Sequence, residues 1–569
     1  MNPWIICYRD FNLSSLRLRE TLFTLGNGYF ATRGALEDSI SKIHYPGTYL
    51  AGGFNRITSK VAKQTLVNED LVNQSNWLPL SFKIEEEEWF DITQVELLDY
   101  REMLHLKKGL VKRFYRCKDI KGRVFIINSL RFVSQHDPHL AGIRYSIISE
   151  NWSAKLSIRS SICGEIKNRG VARYADLNNQ HLEILKKGGS SEYIYLQTKT
   201  SHSHIEVSEV IKTEVYKNKI KLNLENYIEE EDKNIHQYFN LTMKPYEKVT
   251  VYKTLAIYHS KDYGICENLY DAIKKIKEET SFHEIIKRHI FDWSLLWNHS
   301  DIQIESTKRE QKLIRFHIFH TLQSISQHSV HLDYGAPARG LHGEAYRGHV
   351  FWDEIFILPF FFFSYPEIAR SLLMYRYYRL NSARKLALEC GYQGVMFPWQ
   401  SASNGEEETQ RFHLNPKSHK WGPDFSCLQR HVNMAIVYNI WNYYSITQDF
   451  QFLKKYGAEI ILEIAKFISS IVTFNENKNK YEIIGVMGPD EFHEFDLSTK
   501  SPGLKNNAYT NFMAVWVLEK ALELRKILSP SYQKYLFKLL NITQVELERW
   551  ENILYKMYLP FHNKILSQF

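Results

Sequence analysis

The sequence predicts a chain of two unlike parts, an antiparallel β-sandwich followed by an all-α domain. Alternation of apolar and polar residues dominates the first half, and helical periodicity replaces it from about residue 265. The 569 residues also exceed what one compact core organises. We therefore expect a β-sandwich domain at 1–265, a helical linker at 266–310 and a helical domain at 311–569.

The β-sandwich rests on short runs with a period of two. Such runs occupy residues 110–134, 181–200, 206–224 and 248–258. Glycine-containing turns divide the first two runs into pairs, which is typical of hairpins. Many short strands with few helices between them predict an antiparallel sandwich.

The all-α domain rests on a series of amphipathic stripes. The first, at 271–300, is polar enough to be the linker, and the others lie at 311–326, 354–363, 366–390, 425–446, 449–473, 507–527, 530–541 and 543–557. In the fourth stripe, apolar residues follow the i, i+3, i+4 spacing and Arg376 is the only break. With no predicted strands between them, these helices indicate an all-α domain.

Three long loops join these helices, at 328–352, 391–424 and 474–506. Each has 25 residues or more, although helix packing alone needs only a few. All three are rich in Trp, His, Asp, Glu and Gly. Alternate loops at one end of a helical barrel would meet over a single pocket.

The first loop ends in the most polar motif of the chain, Gly340–Pro359, which reads GLHGEAYRGHVFWDEIFILP. Its charged residues followed by an apolar run predict a loop that fills a pocket and a helix that anchors it. Trp352 beside Asp353 suits a sugar, because an indole covers the apolar face of a pyranose while a carboxylate accepts from its hydroxyls. A satisfied polar network at a helix start is the alternative.

The second loop repeats this chemistry. Trp399 follows Pro398 and offers another platform, and Gln400 and Glu406 to Glu408 are candidate hydroxyl acceptors. Part of the glutamate run is expected to face solvent.

The third loop carries the best candidate for an acid. Gly488 and Pro489 predict a tight turn that presents Asp490, Glu491 and His493. A carboxylic acid held there among aromatic residues would have a raised pKa and could protonate a leaving group. The alternative is an ordinary β-turn with an Asx hydrogen bond.

Composition excludes several classes of protein. The chain has 44% hydrophobic and 24% charged residues, a net charge of +8 and no long basic block, so we expect a globular protein that binds no nucleic acid. Six dispersed cysteines without a CxxC pair argue against zinc and disulfides and favour a reducing compartment. The N-terminus does not resemble a signal peptide, and the apolar run at 350–366 is too short to span a membrane. We expect a cytoplasmic protein without a metal.

Other catalytic motifs do not occur in the sequence. There is no GxSxG, P-loop or HExxH pattern. Glycoside cleavage needs an acid and, on the other face of the sugar, a base or a nucleophile. Only the acid has a convincing candidate; the run Glu406 to Glu408 is the one local alternative for the second group.

Four ordered motifs resemble glycoside hydrolase family 65, namely GLHGEAYRGHVFWDEIF, GYQGVMFPWQSASNGEEETQ, GVMGPDEFHEFD and NNAYTN. The resemblance extends to RETLFTLGNGYFATRG near the N-terminus and covers essentially the whole chain. It implies a β-sandwich, a linker and an (α/α)6 barrel that inverts an α-glucosidic bond. By motif, Glu491 would be the general acid. The substrate-binding residues would be Trp352, Asp353, Trp399, Arg347 and His349.

The resemblance also implies a substrate, an acceptor and a set of partners. The substrate would be a small α-glucoside, with no cofactor. Water is our first choice of acceptor, because GEEETQRFHLNP resembles the hydrolase-like branch. Inorganic phosphate as co-substrate, giving β-glucose 1-phosphate, is the alternative.

Family members continue beyond this chain with further barrel helices. We therefore expect an incomplete barrel with exposed apolar faces, and a homodimer or a complementing C-terminal fragment as partner. A catalytically inactive sugar-binding remnant is the third reading.

Overall fold

A computed structural model gives the fold of the chain and describes residues 2–38, 43–61, 63–278, 281–489, 494–496 and 500–569. One short helix, α1 (Leu16–Leu22), lies near the N-terminus. The strands of the first half are β1 (Ile5–Tyr8), β2 (Leu25–Gly26), β3 (Phe30–Thr32), β4 (Thr48–Val61), β5 (Gln64–Asn73), β6 (Leu80–Ile84), β7 (Glu96–His105), β8 (Leu110–Lys118), β9 (Val124–Val133), β10 (Leu140–Ser149), β11 (Ala154–Cys163), β12 (Leu182–Gly189), β13 (Ile194–Thr200), β14 (Glu206–Lys217), β15 (Ile220–Lys221), β16 (Asn226–Glu230), β17 (Asn234–Met243) and β18 (Lys248–His259).

Within the described residues, these strands form three antiparallel sheets. The largest has the order β1-β7-β8-β9-β10-β18-β14-β13-β12, with β15 beside β14. The second has the order β16-β17-β11-β6, and the third has the order β2-β3-β4-β5. The prediction of a multi-sheet β domain in the first half is confirmed.

The β8–β9 hairpin shows how the sequence sets the register. Buried and partly exposed side chains alternate along β8, and Val111 pairs with Arg131 across the hairpin. Gly122 in the turn has a φ of 77°, a left-handed conformation that glycine adopts without steric cost. A shift of one residue would move every apolar side chain to the wrong face, so the alternation fixes the pairing.

The β domain contains a buried charge network of Arg113, Arg131, Glu37 and Glu102. Arg113 Nη1 donates to Glu37 Oε1 at 2.9 Å, and Arg113 Nε donates to Glu102 Oε1 at 2.9 Å. Arg131 Nη1 lies 3.4 Å from the same Glu37 oxygen. Burial alone would raise the pKa of Glu37, but the two arginines lower it below its usual value.

The third sheet connects the β domain to the helices. Its residues Tyr49, Phe54 and Leu71 are buried in the same apolar core as the helical residues Phe361 and Leu372. The second half is therefore built against a β surface, and loops from both halves meet at this contact.

The helices of the second half follow β18. They are α2 (Asn268–Glu278), α3 (Phe282–Ser300), α4 (Lys308–Ser324), α5 (Glu354–Ser364), α6 (Pro366–Tyr377), α7 (Leu380–Glu389), α8 (Val432–Thr447), α9 (Phe450–Phe452), α10 (Ala458–Ile471), α11 (Ala508–Ile527), α12 (Pro530–Leu539) and α13 (Gln544–Lys556). The predicted domain limit at residue 265 falls between β18 and α2, although the domain limits themselves stay predictions.

Two predicted helices are interrupted in the structure. The stripe at 366–390 divides into α6 and α7, and Arg379 at the break donates to Tyr375 O at 2.9 Å and to Asp333 at 2.8 Å. The stripe at 449–473 contains a π-helical turn, Leu453–Gly457, between α9 and α10. The contact of Arg379 with Asp333, 46 positions away, accompanies the first break, and helical periodicity could not reveal it.

The prediction of a second half without strands is wrong. The structure has β19 (Phe412–Asn415), β20 (Lys420–Pro423), β21 (Val472–Asn475), β22 (Lys480–Val486), β23 (Leu504–Lys505), β24 (Phe561–His562) and β25 (Ile565–Leu566). The first five lie in the second and third long loops or at their ends. Loops of this length must satisfy their own backbone hydrogen bonds, and they do so by pairing with themselves.

The helices share one core but leave large apolar side chains exposed. Phe356 and Phe363 of α5 are 70% and 74% exposed, and Phe512 of α11 is 58% exposed. Phe361 of α5 is fully buried on the opposite side of the same helix. Among the described residues, no helix has the length and apolar character needed to cross a membrane.

Candidate functional site

Trp352 and Asp353 lie at the start of α5, where a buried ion pair holds the backbone. Arg376 of α6 donates to Glu354 Oε2 from Nη2 at 2.8 Å and from Nε at 3.1 Å. The same Nη2 donates to Phe351 O at 2.9 Å. The one polar break that the sequence showed in the stripe of α6 therefore anchors the end of the first loop.

His431 lies between the two predicted tryptophan platforms. Its ring centroid is 4.7 Å from that of Trp352 and 5.2 Å from that of Trp399, edge-on to each. Tyr509, at the start of α11, lies 5.7 Å from His431 and 6.0 Å from Trp352. We call these four residues the aromatic wall. Trp352 ends the first long loop, Trp399 lies within the second, and His431 and Tyr509 follow the second and the third.

Two members of the aromatic wall were not predicted from the sequence. His431 precedes α8 and Tyr509 lies in the first turn of α11, so each directly follows a long loop. That position was the only signal available. Burial lowers the pKa of His431 to about 3, so its imidazole is neutral, and as a fully buried ring it packs between the two tryptophans.

The Trp399 segment is braced from within its own loop. Glu407 accepts from Trp399 N at 2.9 Å and from Gln400 N at 3.2 Å. The Gln400 side-chain oxygen lies 3.0 Å from His349 Nδ1. The candidate hydroxyl acceptors Gln400 and Glu407 are thus engaged with protein groups in this structure.

Arg347 and His349 point toward the β domain. His349 is buried, and its Nε2 lies 2.6 Å from Glu69 O of β5. Arg347 has a left-handed backbone, with a φ of 56°, and its Nε lies 3.5 Å from Asp70 Oδ1. Its guanidinium lies 4.9 Å from the ring centroid of Tyr174. These contacts link the first loop to β5; whether either residue touches a sugar stays a prediction.

Arg56, Glu69 and Glu408 form a junction between β4, β5 and the second loop. Arg56 Nη2 donates to Glu69 Oε2 at 2.8 Å and to Glu408 Oε1 at 2.5 Å. Glu408 Oε2 also accepts from Glu69 N at 3.2 Å. Burial raises the pKa of Glu408 to about 7, although Arg56 acts in the opposite direction. This member of the predicted glutamate run is therefore interdomain rather than solvent-facing.

The predicted acid Glu491 lies outside the described residues, as do Asp490 and His493. The chain on either side of them packs on the end of the second loop. Met487 N donates to Leu428 O at 3.0 Å, and the ring centroids of Phe425 and Phe495 are 5.0 Å apart. The third loop is thus anchored next to the segment that leads to His431.

The residues after the third loop have structural roles. Asn507 is the N-cap of α11, and its Oδ1 accepts from Thr510 N at 3.0 Å. A Cβ on Gly488 would lie 2.2 Å from Asn507 Nδ2, so the turn before the predicted acid needs glycine to pass this side chain. Asn507 thus caps the N-terminus of α11.

Comparison with known proteins covers the whole chain. The N-terminal domain of glycosyl hydrolase family 65 matches residues 6–296, and the central catalytic domain of that family matches residues 315–569. A solved structure, named as a kojibiose phosphorylase from the human microbiome, superposes with a TM-score of 0.84 at 24% identity. It covers 100% of this chain and 72% of its own, and it shows the shared fold.

Curated relatives have the same relation to the chain. An uncharacterised glycosyl hydrolase of Mycobacterium tuberculosis is 38% identical over 569 residues, covering 100% of this chain and 43% of the relative. Kojibiose phosphorylase of Caldanaerobacter subterraneus is 34% identical, covering 100% of this chain and 72% of the relative. Trehalose 6-phosphate phosphorylase of Lactococcus lactis is 34% identical, with 100% and 70% covered. The chain thus spans less than half of the first relative and about 70% of the others. It belongs to glycosyl hydrolase family 65.

Proposed function

We propose that the chain forms the β domain and the central helical part of an (α/α)6-barrel enzyme that cleaves α-glucosidic bonds with inversion. The observation that carries the proposal is the aromatic wall, in which Trp352 and Trp399 lie on either side of a neutral His431 and Asp353 adjoins Trp352. The partly exposed Trp352 beside a carboxylate matches the two kinds of surface of a glucose ring, and the buried Trp399 and His431 support it. Membership of the family supports the reaction class.

In this proposal Glu491 is the general acid. It donates its proton to the glycosidic oxygen as the bond from that oxygen to C1 breaks, and the acceptor attacks C1 from the opposite face. Trp352, Asp353 and Trp399 hold the non-reducing glucose. Arg347 and His349 stay predicted members of the site, and their contacts with β5 support a positioning role for both.

The acceptor has two candidates. Water is our first choice from the sequence. As water attacks C1, one of its protons passes to a base that we do not assign. Phosphate is favoured by relatives named kojibiose and trehalose 6-phosphate phosphorylases, and it would give β-glucose 1-phosphate. We propose that neither route uses a metal or an organic cofactor.

The acceptor can be decided by product analysis. The protein is incubated with kojibiose, maltose, nigerose and trehalose, each with and without phosphate. Free glucose in both conditions supports hydrolysis, whereas β-glucose 1-phosphate formed only with phosphate supports phosphorolysis.

The sugar site can be tested by titration calorimetry with kojibiose. Trp399→Ala should abolish kojibiose binding, and unchanged binding by this variant would contradict the proposed sugar site.

The acid can be tested with a matched pair of variants. Glu491→Gln should reduce the turnover of unactivated disaccharides at least about a hundredfold, because proton donation to the leaving group is lost. Glu476→Gln, in the exposed turn between β21 and β22, is the control and should keep the wild-type rate. Equal rates for the two variants would show that Glu491 is not the acid.

We propose that the exposed side of α5 and α11 is covered in the active protein by a further polypeptide. Phe356 and Phe363 are seven residues apart on α5, so they lie on one face of the helix. Together with Phe512 of α11 they are too exposed to be scattered surface residues. Mixing the chain with a polypeptide carrying the remaining part of a family 65 relative should raise the activity. A homodimer seen by sedimentation, with no response to the added polypeptide, would indicate a second copy instead.

A further inference from the structure

A second cavity lies between the β domain and the helical region, apart from the aromatic wall. Its volume is about 280 Å³, near the lower end of the roughly 300 to 1,000 Å³ of small-ligand pockets, which suits a single sugar. The residues that the argument uses are Phe54, Lys261, Tyr263, Asp333, Tyr375 and Arg379. They come from both halves of the chain, so the cavity exists only when the two halves are assembled.

The inner end of the cavity holds a fixed polar fork. Arg379 is 5% exposed, and its Nη1 and Nη2 lie 2.8 and 3.2 Å from the two carboxylate oxygens of Asp333. Arg379 is held further by Ser403 O at 2.5 Å and by the Tyr375 ring, whose centroid lies 3.6 Å from the guanidinium. The Asp333 side chain is 51% exposed, so it retains room to accept from a ligand hydroxyl.

The backbone at Asp333 supports a ligand-directed role. Asp333 has a φ of 47°, in the left-handed region that costs free energy for residues with a Cβ, although less for Asp than for most. The left-handed turn places its carboxylate against Arg379 at the cavity. Such conformations concentrate at binding sites, where the surrounding structure enforces them.

The mouth of the cavity is cationic and aromatic. Lys261 follows β18 and, among the described residues, forms no ion pair with a carboxylate within 4.0 Å. Partial burial lowers its pKa, opposed by Glu69 and Asp333. Tyr263 is 77% exposed beside it, with its ring centroid 6.1 Å from that of His331. Glu69 and Asp333 act on the Lys261 amine from more than 4.0 Å, so this amine has no carboxylate in direct contact at the cavity.

We propose that this cavity binds a phosphorylated monosaccharide, with Lys261 pairing with the phosphate and the Asp333–Arg379 fork contacting sugar hydroxyls. A neutral sugar would leave the Lys261 charge without a partner, and a bare phosphate would leave the aromatic sides formed by Phe54 and Tyr263 empty. A sugar carrying one phosphate satisfies both groups. The site is separate from the proposed catalytic centre and does not depend on the reaction assigned to it.

The test is a titration calorimetry series with glucose 6-phosphate, glucose and inorganic phosphate as probes. Wild-type protein should bind glucose 6-phosphate more tightly than either of the others. Lys261→Ala should weaken this binding at least about tenfold, the scale of one charge-assisted hydrogen bond, and Lys261→Arg should restore most of it. Lys261 is solvent-exposed, so neither variant should disturb the fold.

Three results would overturn the proposal. The first is no binding of glucose 6-phosphate to the wild-type protein. The second is equal binding by wild type and Lys261→Ala. The third is loss of binding in Trp399→Ala, which would place the ligand at the aromatic wall. Because the test measures binding and no turnover, its result can be interpreted even if the proposed catalytic function is wrong.

Discussion

The β domain and the helical region differ in how their exposed apolar residues are arranged. In the β domain, exposed apolar residues such as Ile120 and Tyr246 sit singly in turns, and the buried Arg113 has two carboxylate partners. In the helical region, Phe356 and Phe363 are exposed seven residues apart on one helix. The β domain pairs these buried charges internally, whereas the helical region presents an exposed apolar face of the kind that marks an interaction site.

This difference also separates stability from function. The core of the β domain packs against the third sheet. Glu69 and Asp70 of this sheet contact the first and second loops. The aromatic wall itself belongs to the helical region, where the exposed phenylalanines begin one turn after Trp352. The proposed function therefore depends on the half of the chain with the exposed apolar face.

The largest effect is expected from breaking the buried charge network of the β domain. Arg113→Ala would leave Glu37 and Glu102 buried with fewer partners, and removing one member of a buried ion pair costs about 3–5 kcal/mol. Denaturant unfolding should show this loss in the free energy of unfolding. The control is Arg116→Ala on the same strand as Arg113. It removes a surface ion pair with Glu150 and should cost about 1 kcal/mol or less. Equal losses would mean that the network contributes no more than a surface pair.

A matched pair on α5 sharpens the comparison in the helical region. Phe361→Ala removes a fully buried ring and should cost about 3–5 kcal/mol, whereas Phe356→Ala removes a ring that is 70% exposed and should cost about 0.5 kcal/mol or less. Thermal and denaturant unfolding of the chain alone measure both. A large loss for Phe356→Ala would show that its face is already covered, for example by self-association.

The smallest effect should appear as a pH dependence at the junction of the two regions. The pKa of Glu408 is about 7 in the folded protein, above its value in the unfolded chain, so the folded state binds this proton more tightly. The contribution of Glu408 to stability is thus greatest at low pH and is lost as the pH rises from about 4.5 to 7, by about 3 kcal/mol. Glu408→Gln should flatten this part of the profile of unfolding free energy against pH. An unchanged profile would contradict the role of Glu408.

Local features of both halves could be predicted from the sequence. The alternation at 110–134 predicted the β8–β9 hairpin, and the stripe at 507–527 predicted α11. The tryptophans of two separate loops were predicted to meet, and Trp352 and Trp399 indeed share contacts with His431. Periodicity, turn chemistry and capping act within a few residues, so a single sequence contains them.

The partners of the polar side chains were decided only by the tertiary structure. Arg376 broke an apolar stripe for no reason visible in the sequence, and Glu354 supplies the reason. Glu408 was predicted as a sugar acceptor or a solvated residue, yet it pairs with Arg56, 352 positions away. A buried charge needs a partner, but any of many distant residues could provide it. The alternating and helical patterns determine which faces are buried; the packing of the two halves against each other determines which charges meet there.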